Sequence, residues 1–233
     1  MGCDIHVKCE VKENGVWKLN PVRIFENEYF DNYREEREKG GKIPDYAQEE
    51  FLTNPPRHRN YDWFSILADV RNGRGFAGCK TGEGFEVIAE PRGIPEDATE
   101  EWKKECEDWY GDFHSHSWLT PEDFDKFDWS QKSIKTGIIP IEEYRELRGT
   151  NKMPPNGWSG GISGPDIVII SQEQADGILG GSLGEEGVMY YVEYYWSVLY
   201  SNWFNHCITD TVEPLKKLKE QFEEVRIVFA FDN

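Results

Sequence analysis

The chain has 233 residues, 44 of them acidic against 26 basic, for a formal net charge of −18. Acidity on that scale repels phosphate backbones, which excludes DNA or RNA binding through a basic face. Hydrophobic residues make up 38% and aromatic residues 14%, with nine tryptophans, so the chain has enough apolar area for a core and is not disordered throughout.

Residues 3–12 alternate without a fault, with Cys3, Ile5, Val7, Cys9 and Val11 on one face and Asp4, His6, Lys8, Glu10 and Lys12 on the other. That period predicts a strand with a buried face and a wet one. Asn14-Gly15 supplies a positive-φ turn, and Val16 to Leu19 returns as the hairpin partner. Residues 26–50 are charged and weakly patterned, read as one or two surface helices. Trp63, Ile66, Leu67 and Val70 mark an amphipathic helix begun near Asn60 or Asp62. A glycine-rich loop follows from Gly73 to Gly84, then a strand from Phe85 to Glu90. Asp97 with Glu100 reads as a capping box for a helix striped by Ala98, Trp102, Cys106 and Trp109. Thr120-Pro121-Glu122-Asp123 opens another helix, with Pro at its first position.

Residues 149–165 hold five glycines and three prolines, the composition of a mobile loop or lid. Asp166 to Ile170 reads as a short buried strand, Tyr190 to Trp196 as another, then a helix to about Phe222 broken near Pro214. Val225 to Phe231 closes the chain as a final strand. Without repeats, linkers or low-complexity tracts, the expectation is a single α+β domain over residues 1–233. Its central mixed or antiparallel sheet holds the N- and C-terminal strands, with helices packed against it.

Five cysteines, at 3, 9, 79, 106 and 207, form no C-x-x-C pair. With no signal segment before the first strand they read as reduced thiols, and the expected location is the cytoplasm. No apolar run approaches the roughly 20 residues that span a bilayer. Met1-Gly2-Cys3 invites a lipidation reading, which His6 opposes because the myristoylation pattern wants Ser or Thr there.

Asp4 and His6 share a strand face about 7 Å apart, a spacing that suits a metal ion or an oriented acid–base pair. His114-Ser115-His116 is an H-x-H just before the Thr120 helix. Asp4, His6, His114 and His116 would together make a four-ligand set for zinc or manganese; the plain alternative is a helix-entry loop whose histidines cap backbone groups. Arg71-Asn72-Gly73-Arg74-Gly75 is a basic turn able to hold phosphate, or equally a helix C-terminus favoured by the dipole. Arg92 offers a second anchor. Gly157-Trp158-Ser159-Gly160-Gly161 matches G-x-S-x-G by letter but lacks the strand and helix of a nucleophile elbow. His206 and Asp210, at i,i+4, read as a surface pair, and the aromatic run from Tyr190 to Trp196 as core.

Met1-Gly2-Cys3-Asp4-Ile5-His6, the run Tyr61 to Arg71, Pro91-Arg92-Gly93-Ile94-Pro95, the run His114 to Thr120, and Val225 to Phe229 with Phe231-Asp232-Asn233 together resemble a family of phage-encoded proteins. The resemblance spans nearly the whole chain. It implies a phage source, hence host cytoplasm, and no particular chemistry. It singles out Asp4, His6, Arg71, Arg92, His114 and Asp232, leaves His116 aside, and favours a ligand pocket over a metal. The leading expectation is therefore a phage accessory protein that binds or degrades a small nucleotide-like or phosphorylated ligand, such as a host immune signal. In it Arg71 and Arg92 take phosphate, His6 and His114 act on the ligand, and Trp118 stacks on a base beside Asp4 and Asp232. The alternatives are a divalent-metal-dependent hydrolase built on the Asp-x-His and His-x-His pairs, and an acidic DNA mimic or protein-interaction module. Whether it catalyses anything, and whether it forms a homo-oligomer, stays open.

Overall fold

The computed structural model describes residues 2–149, 155–181 and 184–232. In chain order, the first half runs β1 (Asp4–Glu13), β2 (Val16–Leu19), β3 (Phe25–Glu26), α1 (Arg34–Glu38), β4 (Phe51–Leu52), α2 (Tyr61–Ala68), α3 (Glu100–Asp108), β5 (His114–Leu119) and α4 (Pro121–Lys126). The second half runs β6 (Lys132–Pro140), α5 (Ile141–Leu147), β7 (Ile167–Ile170), α6 (Gln172–Leu179), β8 (Met189–Leu199), α7 (Tyr200–Trp203), α8 (Asn205–Cys207), a π-helical turn (Ile208–Val212), α9 (Glu213–Lys219) and β9 (Glu224–Asp232).

The fold is α+β, and the first and last strands are the central pair of its main sheet. Strand order there is β2-β1-β9-β5, with every pairing antiparallel. The β1–β9 register runs from Asp4 opposite Asp232 to Lys12 opposite Glu224. A second sheet, β6-β8-β7, is mixed, because β7 lies parallel to β8. One contiguous apolar cluster joins the Cys3–Val11 face of β1 to α2, to Val192, Tyr194 and Trp196 of β8, and to Leu215 and Leu218 of α9. No helix among the described residues is long and apolar enough to cross a membrane.

The expected wet face of β1 is wet only in part: Asp4 is exposed and Lys8 and Lys12 are half-buried, but the rest is covered. Helix α3 lies over it, and Trp102, Cys106, Phe113, Val228 and Ala230 form a second, smaller core there. His6 and Glu10 are consequently buried. Burying Glu10 requires partners: its carboxylate accepts from Arg226 Nε at 2.7 Å and from the Thr99 amide and hydroxyl at 2.9 and 2.7 Å. Thr99, not Asp97, caps α3 by accepting from the Trp102 amide. Asp97 instead accepts from Trp17 Nε1 and Arg226 Nη1. Burial works to raise its carboxyl, yet the guanidinium and the indole hold it below the ordinary value.

Other expectations are met or corrected by particular contacts. The Asn14-Gly15 turn takes positive φ at both residues. Asn60 caps α2, which is buried on nearly all sides rather than amphipathic, because sheet and helices enclose it. The helix expected at Thr120 does start there, with Pro121 in its first turn, and Thr120 and Asp123 form a capping box. Residues 85–90 are not a strand: Asn72 takes both backbone groups of Phe85, and the Tyr200 hydroxyl and the Ile66 carbonyl take the amides of Glu86 and Ile88. β7 is an edge strand with Val168 and Ile169 exposed, so its apolar run is not buried. The stretch after β8 breaks at Phe204, while Pro214 sits in the first turn of α9 and breaks nothing. Of the glycine- and proline-rich segment, residues 150–154 lie outside the described residues. Beyond them Ser159 exchanges two backbone hydrogen bonds with Ile138, and Trp158 packs on Gly137 and Trp196.

Candidate functional site

The singled-out residues divide between two ends of the main sheet. At the end where β1 begins and β9 finishes, Asp4 and His6 share a face with Asp232. His6 Nε2 lies 3.1 Å from Asp232 Oδ2, and Nδ1 lies 3.4 Å from Glu105 Oε1. Its ring lies tilted against the stacked Trp109 and Phe113 rings, with centroids 5.2 and 4.4 Å away. Glu105 is held below the ordinary carboxylate value first by the His6 hydrogen bond, with burial opposing and Lys8 assisting. Burial pushes Asp232 up, and His6 with the Asp4 amide outweighs it. Both ring nitrogens of His6 are thus engaged inside the fold, where they tie β1, β9 and α3 together.

Asp4 pairs with Arg59 Nε at 3.1 Å, at the solvent edge. Arg71 comes to the same end, lying 4.8 Å over the Tyr61 ring and reaching the Cys3 thiol. Burial raises that thiol, and the guanidinium opposes the rise. Asp4, His6 and Asp232 therefore gather, while Arg71 lies on the Cys3 and Tyr61 side of the strand, the face opposite theirs.

His114 lies on the other face. It is opposite Phe231 across β9, with the two rings 6.1 Å apart, and directly opposed residues share a face. The H-x-H segment is strand β5 rather than a helix-entry loop, and it carries a bulge, with Ser115 at φ 51 and a register shift between His114 and Ser117. The bulge sends His116 towards Phe113, ring centroids 6.1 Å apart; burial first, then His114, lowers its pKa. Asp4, His6, His114 and His116 accordingly share no common point for a metal ion among the described residues.

Arg92 and Trp118 belong to each other. The guanidinium donates to both Asp123 oxygens at 2.8 and 2.6 Å and lies 4.5 Å over the Trp118 ring. Trp118 faces Val228, three residues along β9 from Phe231, about 10 Å from His114. The guanidinium and the indole thus complete an internal contact away from the His6 end.

The cavity that stands out lies along the open edge of β1. It encloses about 760 Å³ and is lined by residues of 27–29, 46 and 52–57 together with Val7 and Lys8. Asn54 Oδ1 accepts from the Cys9 amide and fixes one wall to β1. The Asn27 side-chain amide donates to the Tyr46 and Glu49 carbonyls, both at 2.8 Å, and fixes the other. The Tyr29 and Tyr46 rings meet edge to face at 5.3 Å. Glu28 first, then burial, raises the Tyr29 phenol, and Arg57 acts against them. Lys8 is held by Glu105 at 3.2 Å; Arg57 is exposed and makes no ion pair among the described residues. Sequence patterning missed this cleft because residues 26–57 carry no period. The available signal was compositional: three tyrosines, two cap-like asparagines and Pro55-Pro56.

Beside the cleft, His58 is buried and approaches Asp210 Oδ2 at 3.5 Å, while His206 Nε2 approaches the same oxygen at 3.1 Å. The His206–Asp210 pair is thus two of the three members of a cluster whose third, His58, comes from the first third of the chain. Burial lowers the His58 pKa, and Asp210 and Glu28 act against it.

No protein-family model, no curated protein and no solved structure matches the chain.

Proposed function

We propose that the protein binds a small, ring-bearing phosphorylated ligand, nucleotide-like in class, in the cleft along β1. The observation that supports this reading is a cavity of about 760 Å³ lined by two tyrosines and Arg57, a guanidinium that no carboxylate of the described residues neutralises. Its size falls in the range of roughly 300–1,000 Å³ typical of small-molecule sites. Tyrosine rings stack on a base, and a guanidinium fork takes phosphate oxygens in pairs. Glu28 on the same wall accepts from ribose hydroxyls or a base amine. This assignment moves the phosphate anchor from Arg92 to Arg57, because Arg92 is already paired with Asp123. Capture of a host nucleotide signal is the role proposed from the phage resemblance.

The test is calorimetric titration with ATP, ADP-ribose and a cyclic dinucleotide, beside a thermal-shift screen of the same compounds. At least one is expected to bind, and Arg57→Ala to weaken it tenfold or more, about 1.4 kcal/mol, without changing the ligand-free midpoint. Silence across the panel, or binding indifferent to both Arg57→Ala and Tyr46→Ala, refutes the reading.

A further inference from the structure

We propose that His58, His206 and Asp210 form a binding site for a divalent first-row transition-metal ion. The proposal goes beyond the cleft reading and does not depend on it. One ligand atom from each residue falls within 4.8 Å of the other two, and this is the cluster among the described residues with that geometry. Donors about 2.0–2.2 Å from a common ion, at angles between octahedral and tetrahedral, are about 3.0–3.5 Å from one another. The observed Nε2–Oδ2 separations of 3.1 and 3.5 Å fall in that interval.

Two further observations suit a cation at this point. The His58 side chain is 94% buried by its 6% relative exposure, and its Nε2 has no hydrogen-bond partner among the described residues. A buried ring nitrogen without a partner is costly, and this one points at a carboxylate. That carboxylate is itself buried: Asp210 is 8% exposed, and its ion pairs among the described residues are with the two imidazoles alone, with no lysine or arginine. A buried anion facing two imidazoles is completed by a cation among them.

The backbone fits the same purpose. Asp210 lies in the π-helical turn Ile208–Val212, which widens the helix where His206 and Asp210 must converge on one point, and such turns recur at functional sites. His58 is held from its C-terminal side, where Arg59 pairs with Asp4 and Asn60 caps α2. His206 remains exposed, so the ion has an entry path and positions open to water or an external ligand. Two imidazoles and one carboxylate suit zinc, ferrous iron, cobalt or manganese over calcium or magnesium, which prefer all-oxygen sites.

The test uses the full chain, stripped with chelator, reduced, and titrated with Co²⁺ and then Zn²⁺. One equivalent of Co²⁺ is expected to bind with weak visible d–d bands and no intense thiolate charge-transfer band, to be displaced by Zn²⁺, and to raise the thermal midpoint. His206→Ala is the primary variant, because its exposed side chain can be removed without opening the core. It is expected to weaken Co²⁺ at least tenfold while the metal-free protein still unfolds in one cooperative transition. Asp210→Asn is expected to do the same to the metal. Absence of stoichiometric binding at 100-micromolar-range Co²⁺ (about 10⁻⁴ M, weaker than protein transition-metal sites) overturns the proposal. So does binding that survives His206→Ala, or that shows thiolate absorption from the cysteines.

Discussion

Replacing Arg226 with methionine keeps most of the side-chain length and removes the guanidinium that neutralises Glu10. In the native protein Arg226 is 3% exposed and Glu10 0%. Arg226 Nε donates to Glu10 at 2.7 Å, Nη1 donates to Asp97 Oδ1 at 2.7 Å, and the guanidinium lies 3.8 Å over the Trp17 ring. Without it Glu10 keeps only the two donors of Thr99. Leaving one partner of a buried pair uncompensated costs about 3–5 kcal/mol, and a chain of this size loses about 2–4 °C of midpoint per kcal/mol. Arg226→Met is therefore expected to lower the thermal midpoint by roughly 6–20 °C. Glu10→Met combined with Arg226→Met removes the stranded charge, so the double variant should be more stable than Arg226→Met alone. Urea denaturation of the four proteins in the cycle measures this directly. Additive single effects, or an Arg226→Met cost below about 1 kcal/mol, as for an exposed pair such as Lys12–Glu224, would refute the reasoning.

Three further outcomes are expected. His6→Ala should cost about 1–3 kcal/mol near neutral pH. Glu105 and Asp232 have folded values lowered with the help of His6; their contribution is present above the unfolded value of about pH 4 and is lost as pH falls through the folded ones. The deficit of His6→Ala should accordingly shrink between pH 7 and pH 3 in urea titrations, and a pH-independent deficit would contradict this. Lys135 donates to both Asp62 oxygens at 2.8 Å and lies 5.4–5.8 Å from the Phe85, Trp158 and Trp203 rings. Lys135→Met should cost about 3 kcal/mol by stranding Asp62, and adding Asp62→Asn should recover part of it. A Cβ at Gly137 would lie 2.8 Å from the Trp158 ring; Gly137→Ala should cost about 1–3 kcal/mol, and Trp158→Ala should abolish most of that penalty in a double-mutant cycle.

The candidate site was legible in the sequence only in pieces. Asp4, His6 and Asp232 do converge, because strand alternation and the pairing of the two terminal strands put them on one face. Arg92 looked like a free anchor, since nothing in the local sequence shows that Asp123 will take it. His58 gave no signal at all: a single histidine in an unpatterned segment gains meaning only from partners about 150 residues away. The cleft residues lie in irregular chain, where period carries no information.

The sequence by itself determined the local features, each governed by forces within a few residues. These are the alternation of β1, the Asn14-Gly15 turn, the Asn60 and Thr120 helix starts and the apolar last strand. Only the tertiary structure decided which faces meet. It laid α3 over the polar face of β1, which turned part of an apparent wet face into a second core and made Glu10 and His6 buried groups. It turned His114 and His6 to opposite sides of one sheet through the bulge at Ser115. It also carried Asp210 to His58. Alternation fixes which residues share a side of a strand, but burial and pairing depend on surfaces supplied from distant chain.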